Sequence, residues 1–170
     1  LDYRTQDYQR LLKVRDHGLL KALGKQKGTI LDGFGGIGKD GFIMAHAGYT
    51  VTTFEKNYIL YLLLSQAIDK YIEQTPLNWN HKLGDCQSVF DQEYDVVYLD
   101  PMFEVNRTAK AKKGMQIIQS LVKSEPFNSY DKAYLVARKR LIIKAHQSTP
   151  ICQHLPKPSL QIIGQKNFRF

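Results

Sequence analysis

Apolar positions along the chain come in short bursts, and their spacing switches between the period of a strand and that of a helix. Thr29-Ile30-Leu31 ends at Asp32 and runs into Gly33-Phe34-Gly35-Gly36-Ile37-Gly38, the pattern of a buried strand entering a tight turn. Over 39–47, Phe42, Ile43 and Ala45 with Ala47 recur at helical spacing until Gly48 stops the helix. A second, β-branched strand is predicted over 50–54, closed by Glu55. Asn57 then caps a long helix reaching residue 73, with Leu60, Leu63, Leu64, Ala67, Ile68 and Tyr71 on its inner face. Residues 81–83 read as a short third strand before Gly84-Asp85. Residues 94–99 read as a strong fourth strand ending at Asp100-Pro101. Helical stretches are predicted at 18–23, 112–122 and 129–137, a fifth strand at 141–143, and a terminal pair from 160–163 with 168–170.

Strands alternating with helices imply an α/β fold with a mostly parallel central sheet flanked by helices on both faces. An antiparallel strand is expected near the C-terminus. The 170 residues hold no internal repeat and no linker. One domain is predicted over 28–170, preceded by a basic segment, 1–27, read as the remnant of a longer N-terminal region.

Charge narrows the partners. Lys and Arg number 24 against 16 Asp and Glu, a formal net charge of +8. Such an excess favours a polyanion, because each neutralised phosphate releases counterions. The cations are also clustered: Arg107, Lys110, Lys112 and Lys113 form one run, Arg138, Lys139 and Arg140 another, and Arg4, Arg10, Lys13, Arg15, Lys21, Lys25 and Lys27 a third. Any one run is as easily a solvated face; three on a small domain point toward nucleic acid. Cys86 and Cys152 lack metal-ligand or framework spacing, and the five histidines are scattered, so neither a disulfide scaffold nor a metal site is expected. The longest apolar cluster, 58–64, is far shorter than the ~20 residues of a membrane span. No secretory signal is read, and a cytoplasmic location is expected.

The candidate chemistry falls at the ends of the predicted strands, where open α/β sheets bind ligands. The turn from Asp32 through Gly36 and Gly38 lets backbone approach a ligand closely. Glu55, ending the second strand, is placed to accept hydrogen bonds from ribose hydroxyls, and Asp85 follows the third strand, where adenine recognition is expected. Gly36-x-Gly38-x-x-Gly41 also matches the dinucleotide fingerprint, which leaves a nicotinamide-dependent oxidoreductase open. Asp100-Pro101-Met102-Phe103 resembles the [Asp/Asn]-Pro-Pro-[Tyr/Phe] motif of methyltransferases acting on amino nitrogens of bases. An exocyclic amine is a poor nucleophile, since its lone pair is delocalised into the ring. A carboxylate and a backbone carbonyl that accept its two N–H bonds turn the lone pair toward the methyl donor. Proline stiffens that turn, and an aromatic at the fourth position stacks the base.

The run Tyr94-Asp-Val-Val-Tyr-Leu-Asp-Pro-Met-Phe103, followed by Lys112-Lys113-Gly-Met115, resembles the RsmJ family of 16S ribosomal RNA guanine-N2 methyltransferases. Leu31-Asp32 with Gly36-Ile37-Gly38-Lys39-Asp40, Glu55-Lys56, and Lys139-Arg140 through Lys144 match further family elements. The resemblance implies a Rossmann-like class I methyltransferase that uses S-adenosyl-L-methionine on 16S ribosomal RNA or the small ribosomal subunit. It implies cofactor contacts from Asp32, Gly36, Gly38, Lys39, Asp40, Glu55, Lys56, Asp85, Cys86, Gln87 and Asp100. Asp100, Pro101 and Phe103 would serve catalysis, and Arg107, Lys110, Lys112, Lys113 and Lys144 would meet RNA. The sequence departs from the family by placing Phe34 in the cofactor turn and Glu104 after the catalytic aromatic. A non-catalytic RNA-binding module that keeps the fold is the third reading left open.

Overall fold

The computed structural model describes residues 1–13, 18–101, 126–146, 155–157 and 168–169. In chain order, α1 (Gln6–Leu12) and α2 (Gly18–Leu23) precede β1 (Thr29–Asp32). Then come α3 (Lys39–His46), β2 (Thr50–Glu55), α4 (Tyr58–Ile72) and β3 (Trp79–Leu83). A 3-10 turn (Cys86–Val89) leads into β4 (Tyr94–Leu99), and α5 (Tyr130–Val136) leads into β5 (Ala137–Ile143). The sheet order is β3-β2-β1-β4-β5 with every pairing parallel. Winding therefore reverses between β1 and β4, and the carboxyl ends of strands at such a switch point are where open α/β sheets bind ligands.

The strands show why the sequence is readable. Ile30, Val51, Val96, Tyr98 and Ile142 point to one face, packed under Leu19, Phe42, Met44, Leu64 and Ile68. Leu31, Phe54, Val97 and Leu99 point to the other, covered by Val89, Tyr130, Ala133 and Val136. This is the two-residue alternation of a pleated strand with both faces buried. The cap on α4 forms as predicted: the Asn57 side chain accepts from the backbone N–H of Ile59 (3.0 Å) and Leu60 (3.1 Å). The predicted inner face of α4 is buried apart from Leu63, which is 45% exposed.

Two expectations are corrected. β5 begins at Ala137 rather than 141, because it is held by pairing with β4 and not by burial of Arg138-Lys139-Arg140, whose side chains are exposed. Among the described residues no antiparallel strand joins the central sheet. Antiparallel pairing near the C-terminus is seen in a separate two-residue ladder, β6 (Ala145–His146) with β7 (Phe168–Arg169). The break falls at Lys144, whose N–H still bonds the Leu99 carbonyl (2.8 Å), after which the chain pairs with β7. Helix α1 carries no clear sequence signal, since its apolar residues Tyr8, Leu11 and Leu12 are only partly buried. The predicted helix at 112–122 and the strand at 160–163 lie outside the described residues.

The N-terminal residues bear directly on the glycine turn. Tyr3 is fully buried, stacks on Phe42 (ring centroids 5.1 Å apart) and donates its hydroxyl hydrogen to the Ile37 carbonyl (3.0 Å). An aromatic far away in sequence thus holds the turn from below.

Candidate active site

The turn after β1 is built from backbone bonds that leave one side bare. Gly33 N–H bonds the Tyr98 carbonyl (3.0 Å), Gly35 N–H the Phe54 carbonyl (2.7 Å) and Gly38 N–H the Gly35 carbonyl (2.7 Å). Gly38 sits at φ +69°, and a Cβ there would come within 2.2 Å of the Tyr3 hydroxyl oxygen and 2.4 Å of Leu64. Gly36 has φ +53°, and a Cβ added there would meet nothing within 4 Å. The two glycines serve different ends: Gly38 permits close packing of α3, whereas Gly36 presents bare backbone to open space. Gly41 packs helix on sheet in the same way as Gly38, its missing Cβ lying 2.9 Å from Trp79. Phe34 packs edge-on against Phe127 (5.3 Å) in the second core cluster.

Four carboxylates line this edge, three at strand ends and one, Asp40, in the first turn of α3. Asp32 lies opposite Thr53 on one side and Tyr98 on the other. It is 1% exposed, and its Oδ2 accepts from the Thr53 hydroxyl (3.1 Å), which in turn accepts from Trp79 Nε1 (2.9 Å). Asp32 Oδ1 is buried and makes no hydrogen bond among the described residues. Burial, and then the Asp40 carboxylate, push the Asp32 pKa up to about 7; the Thr53 hydroxyl and the Phe34 backbone N–H oppose them only in part. Glu55 is 8% exposed and ties two turns together, since Oε2 accepts from Gly36 N–H and Oε1 from Asn57 N–H (both 2.7 Å). Its pKa is raised, burial outweighing those two bonds.

Asp40, in the first turn of α3, and Asp100, just past β4, share one cation. Lys144 Nζ lies 2.7 Å from Asp40 Oδ2 and 2.7 Å from Asp100 Oδ2. The Tyr98 hydroxyl also donates to Asp40 Oδ2 (2.7 Å). Lys144 reaches both because Leu99 pairs with Ile143 across the parallel ladder, which puts the next residue of β5 beside the next residue of β4. Burial works against both charges. The Lys144 ammonium nevertheless holds Asp40 below the ordinary carboxylate range, and the two carboxylates hold Lys144 above the ordinary lysine range. The sequence suggests Lys144 as an RNA contact; the structure places its ammonium between two carboxylates, with the side chain 20% exposed.

The third-strand edge is joined to the second through Gly84 N–H and the Glu55 carbonyl (3.0 Å). Asp85 caps the 3-10 turn, accepting from Gln87 N–H (2.9 Å) and Gln87 Nε2 (3.1 Å). The Ser129 hydroxyl donates to Gln87 Oε1, linking this turn to the start of α5. Cys86 is 2% exposed, and burial pushes its thiol up to about 12, which makes it a neutral packing group. Lys39 and Lys56 are exposed, and Pro101 is buried. Phe103, Glu104, Arg107, Lys110, Lys112 and Lys113 lie outside the described residues.

Sequence reasoning missed Tyr98, Thr53 and Tyr3. A hydroxyl-bearing residue near the end of each of the two strands that flank β1, two positions before Glu55 and before Asp100, was the available signal for the first two. Among the described residues no helix is long and apolar enough to cross a membrane, and no group of three His, Cys, Asp or Glu is placed to hold a metal ion.

Comparison with known proteins supplies the family. Ribosomal RNA small subunit methyltransferase J of Shewanella putrefaciens is 30% identical over 168 residues, covering 90% of this chain and 64% of the relative. Its namesake from Francisella tularensis subsp. novicida is 32% identical over 157 residues, covering 84% of this chain and 64% of the relative. The chain thus spans about 64% of the length of these curated relatives. A solved SAM-dependent methyltransferase from Neisseria gonorrhoeae superposes with a TM-score of 0.67 at 25% identity, over 99% of this chain and 71% of that one. None of these similarities supports the nicotinamide alternative. Residues 2–170 match the family described as "Putative SAM-dependent methyltransferase", and the chain belongs to that SAM-dependent methyltransferase family.

Proposed function

We propose that this chain transfers a methyl group from S-adenosylmethionine to an exocyclic amine of RNA, with guanine N2 of 16S ribosomal RNA as the target the resemblance implies. The observation that carries the proposal is the Lys144 bridge, which fixes Asp100 at the switch point beside Asp40. When bound, S-adenosylmethionine supplies a methyl group already activated by its sulfonium, so positioning contributes much of the rate. Its net charge is positive, and Asp32, Asp40, Glu55 and Asp100 at this edge suit a cation, with Lys144 paired to two of them and Lys39 and Lys56 exposed. Gly36 offers bare backbone to it, and the unsatisfied Asp32 Oδ1 offers a buried acceptor. Glu55 is proposed to meet the ribose hydroxyls, and Asp85, Cys86 and Gln87 the adenine. Gly38, Lys39, Asp40 and Lys56 complete the cofactor site.

Asp100 accepts an N–H of the target amine and aims its lone pair. Lys144 serves that step as a positioning residue by locking the carboxylate in one orientation, as well as lying toward the RNA side of the site. Pro101 stiffens the turn and Phe103 stacks the base, while Arg107, Lys110, Lys112 and Lys113 are proposed to meet RNA phosphates. The small ribosomal subunit in the cytoplasm is the proposed partner.

Asp100→Ala tests the role. Turnover is expected to fall on the order of 10²–10³-fold, the loss typical of one preorganised polar group, while affinity for S-adenosylmethionine by calorimetry changes little. Near-normal methylation by that variant overturns the role. Selective binding of NAD in place of S-adenosylmethionine overturns the cofactor.

A further inference from the structure

Two basic runs that lie more than a hundred positions apart in sequence meet at the opposite edge of the sheet from the carboxylates. The loop after α2 brings Lys25 and Lys27, and β5 brings Arg138, Lys139 and Arg140. Between them is a cleft of about 410 Å³ whose lining includes Lys25, Gly28, Tyr49, Asp95, Lys139 and Arg140.

Lys27, Arg138, Lys139 and Arg140 are held by the framework. Arg140 Nη1 donates to the Ala22 carbonyl (2.8 Å), joining β5 to the end of α2. The Lys27 ammonium sits 4.4 Å from the centre of the Tyr49 ring, and the Tyr49 hydroxyl donates to the Gly24 carbonyl (2.8 Å). From Tyr94 to Val96 β4 advances two residues, while β5 advances three, from Ala137 to Arg140. That bulge sets two residues against one and lets Arg138 (3.3 Å) and Lys139 (3.0 Å) reach the same Asp95 oxygen. The other Asp95 oxygen accepts from Thr29 N–H (3.0 Å). Three cations, Lys25, Lys139 and Arg140, share the lining with one acid, Asp95, with Lys27 and Arg138 beside them, and Arg138 and Lys139 remain about half exposed.

We propose that this cleft is a second RNA contact, taking the phosphodiester backbone of nucleotides that flank the target. The inference rests on the reading of RNA as substrate. Tyr49 is 1% exposed, so the surface offers charge without a stacking platform, which suits phosphates and not bases. Asp95 and Asp100 stand at opposite ends of β4, five residues and about 17 Å apart, roughly five steps of a stacked strand. An RNA seated at Asp100 therefore has its neighbouring backbone within reach of the cleft.

The test is the salt dependence of binding of the full chain to a single-stranded ribosomal RNA fragment, with S-adenosylmethionine affinity measured in parallel. For Lys25→Gln/Lys139→Gln, the slope of log affinity against log salt is expected to shallow by about 1.4, or ~0.7 for each phosphate no longer neutralised. Cofactor affinity should stay unchanged. If the double variant does not fold, Lys25→Gln alone must shallow the slope by ~0.7. An unchanged slope in a folded variant overturns the cleft proposal alone, and so does a lost affinity for polyglutamate with an unchanged RNA slope. A wild-type chain that binds S-adenosylmethionine but no RNA at any salt overturns the RNA reading as well.

Discussion

At the N-terminal end of β4, Asp95 accepts two half-exposed cations and a backbone N–H; at the C-terminal end, Asp100 shares one largely buried lysine with Asp40. The residue type and the pairing chemistry are the same. The surroundings are not. Around Asp95 cations outnumber acids, whereas Asp100 and Asp40 share the Lys144 ammonium, with Asp32 and Glu55 ending neighbouring strands on the same edge. A parallel sheet puts every strand's carboxyl end on one edge and every amino end on the other, so it sorts residues of like position into opposite fields. One edge is thereby suited to a cationic ligand and the other to a polyanion.

The largest expected effect tests the acidic edge through pH. Asp32 has its pKa raised from 3.8 to about 7, so between those values the folded state holds a proton the unfolded chain has lost. The stability from Asp32 is present below about pH 4 and is lost as pH rises through 7. Relative to Asp32→Asn, the wild type should lose on the order of 4 kcal/mol between pH 4 and pH 8 in denaturant melts. A flat difference curve would remove Asp32 from the buried, unsatisfied position described.

The two turn glycines sharpen the same edge. Gly38→Ala forces Cβ against Tyr3 and Leu64 at a positive φ and should cost about 2–4 kcal/mol of stability. Gly36→Ala faces open space and should cost about 1 kcal/mol while weakening S-adenosylmethionine binding, so thermal melts and calorimetry should rank the pair in opposite orders. Lys144→Met removes the ammonium from between Asp40 and Asp100. A cost of about 2–3 kcal/mol is expected, below that of a fully buried pair because a fifth of the side chain is exposed. Combining it with Asp40→Asn should be less than additive.

The smallest effect belongs to the basic edge. Asp95→Asn keeps an acceptor for Thr29 N–H and loses only ion pairs to half-exposed cations, about 0.5–1 kcal/mol and less at high salt. A cost as large as that of Lys144→Met would erase the distinction between the two ends of β4.

The chain itself determined the strand and helix alternation, the Asn57 cap, the glycine turn and the strand-end carboxylates. Each is a local signal: a period of two, a period of 3.6, or a residue type at an element boundary. It also determined that Asp100-Pro101 ends a buried strand, because Val96 to Leu99 of β4 form a continuous apolar run with both faces covered. It could not show that Leu63 stays exposed, that β5 starts at Ala137, or that Tyr3 underpins the glycine turn, since each depends on what packs from far along the chain.

Only the tertiary structure decided the charge pairings. Lys144 reads as one more basic residue until parallel register sets it beside Asp100 and Asp40, 44 and 104 positions away. Arg140 and the α2 loop likewise meet only across the sheet. Periodicity fixes which way a side chain faces, but which charges neutralise one another is a matter of distance in space, and folding sets that distance.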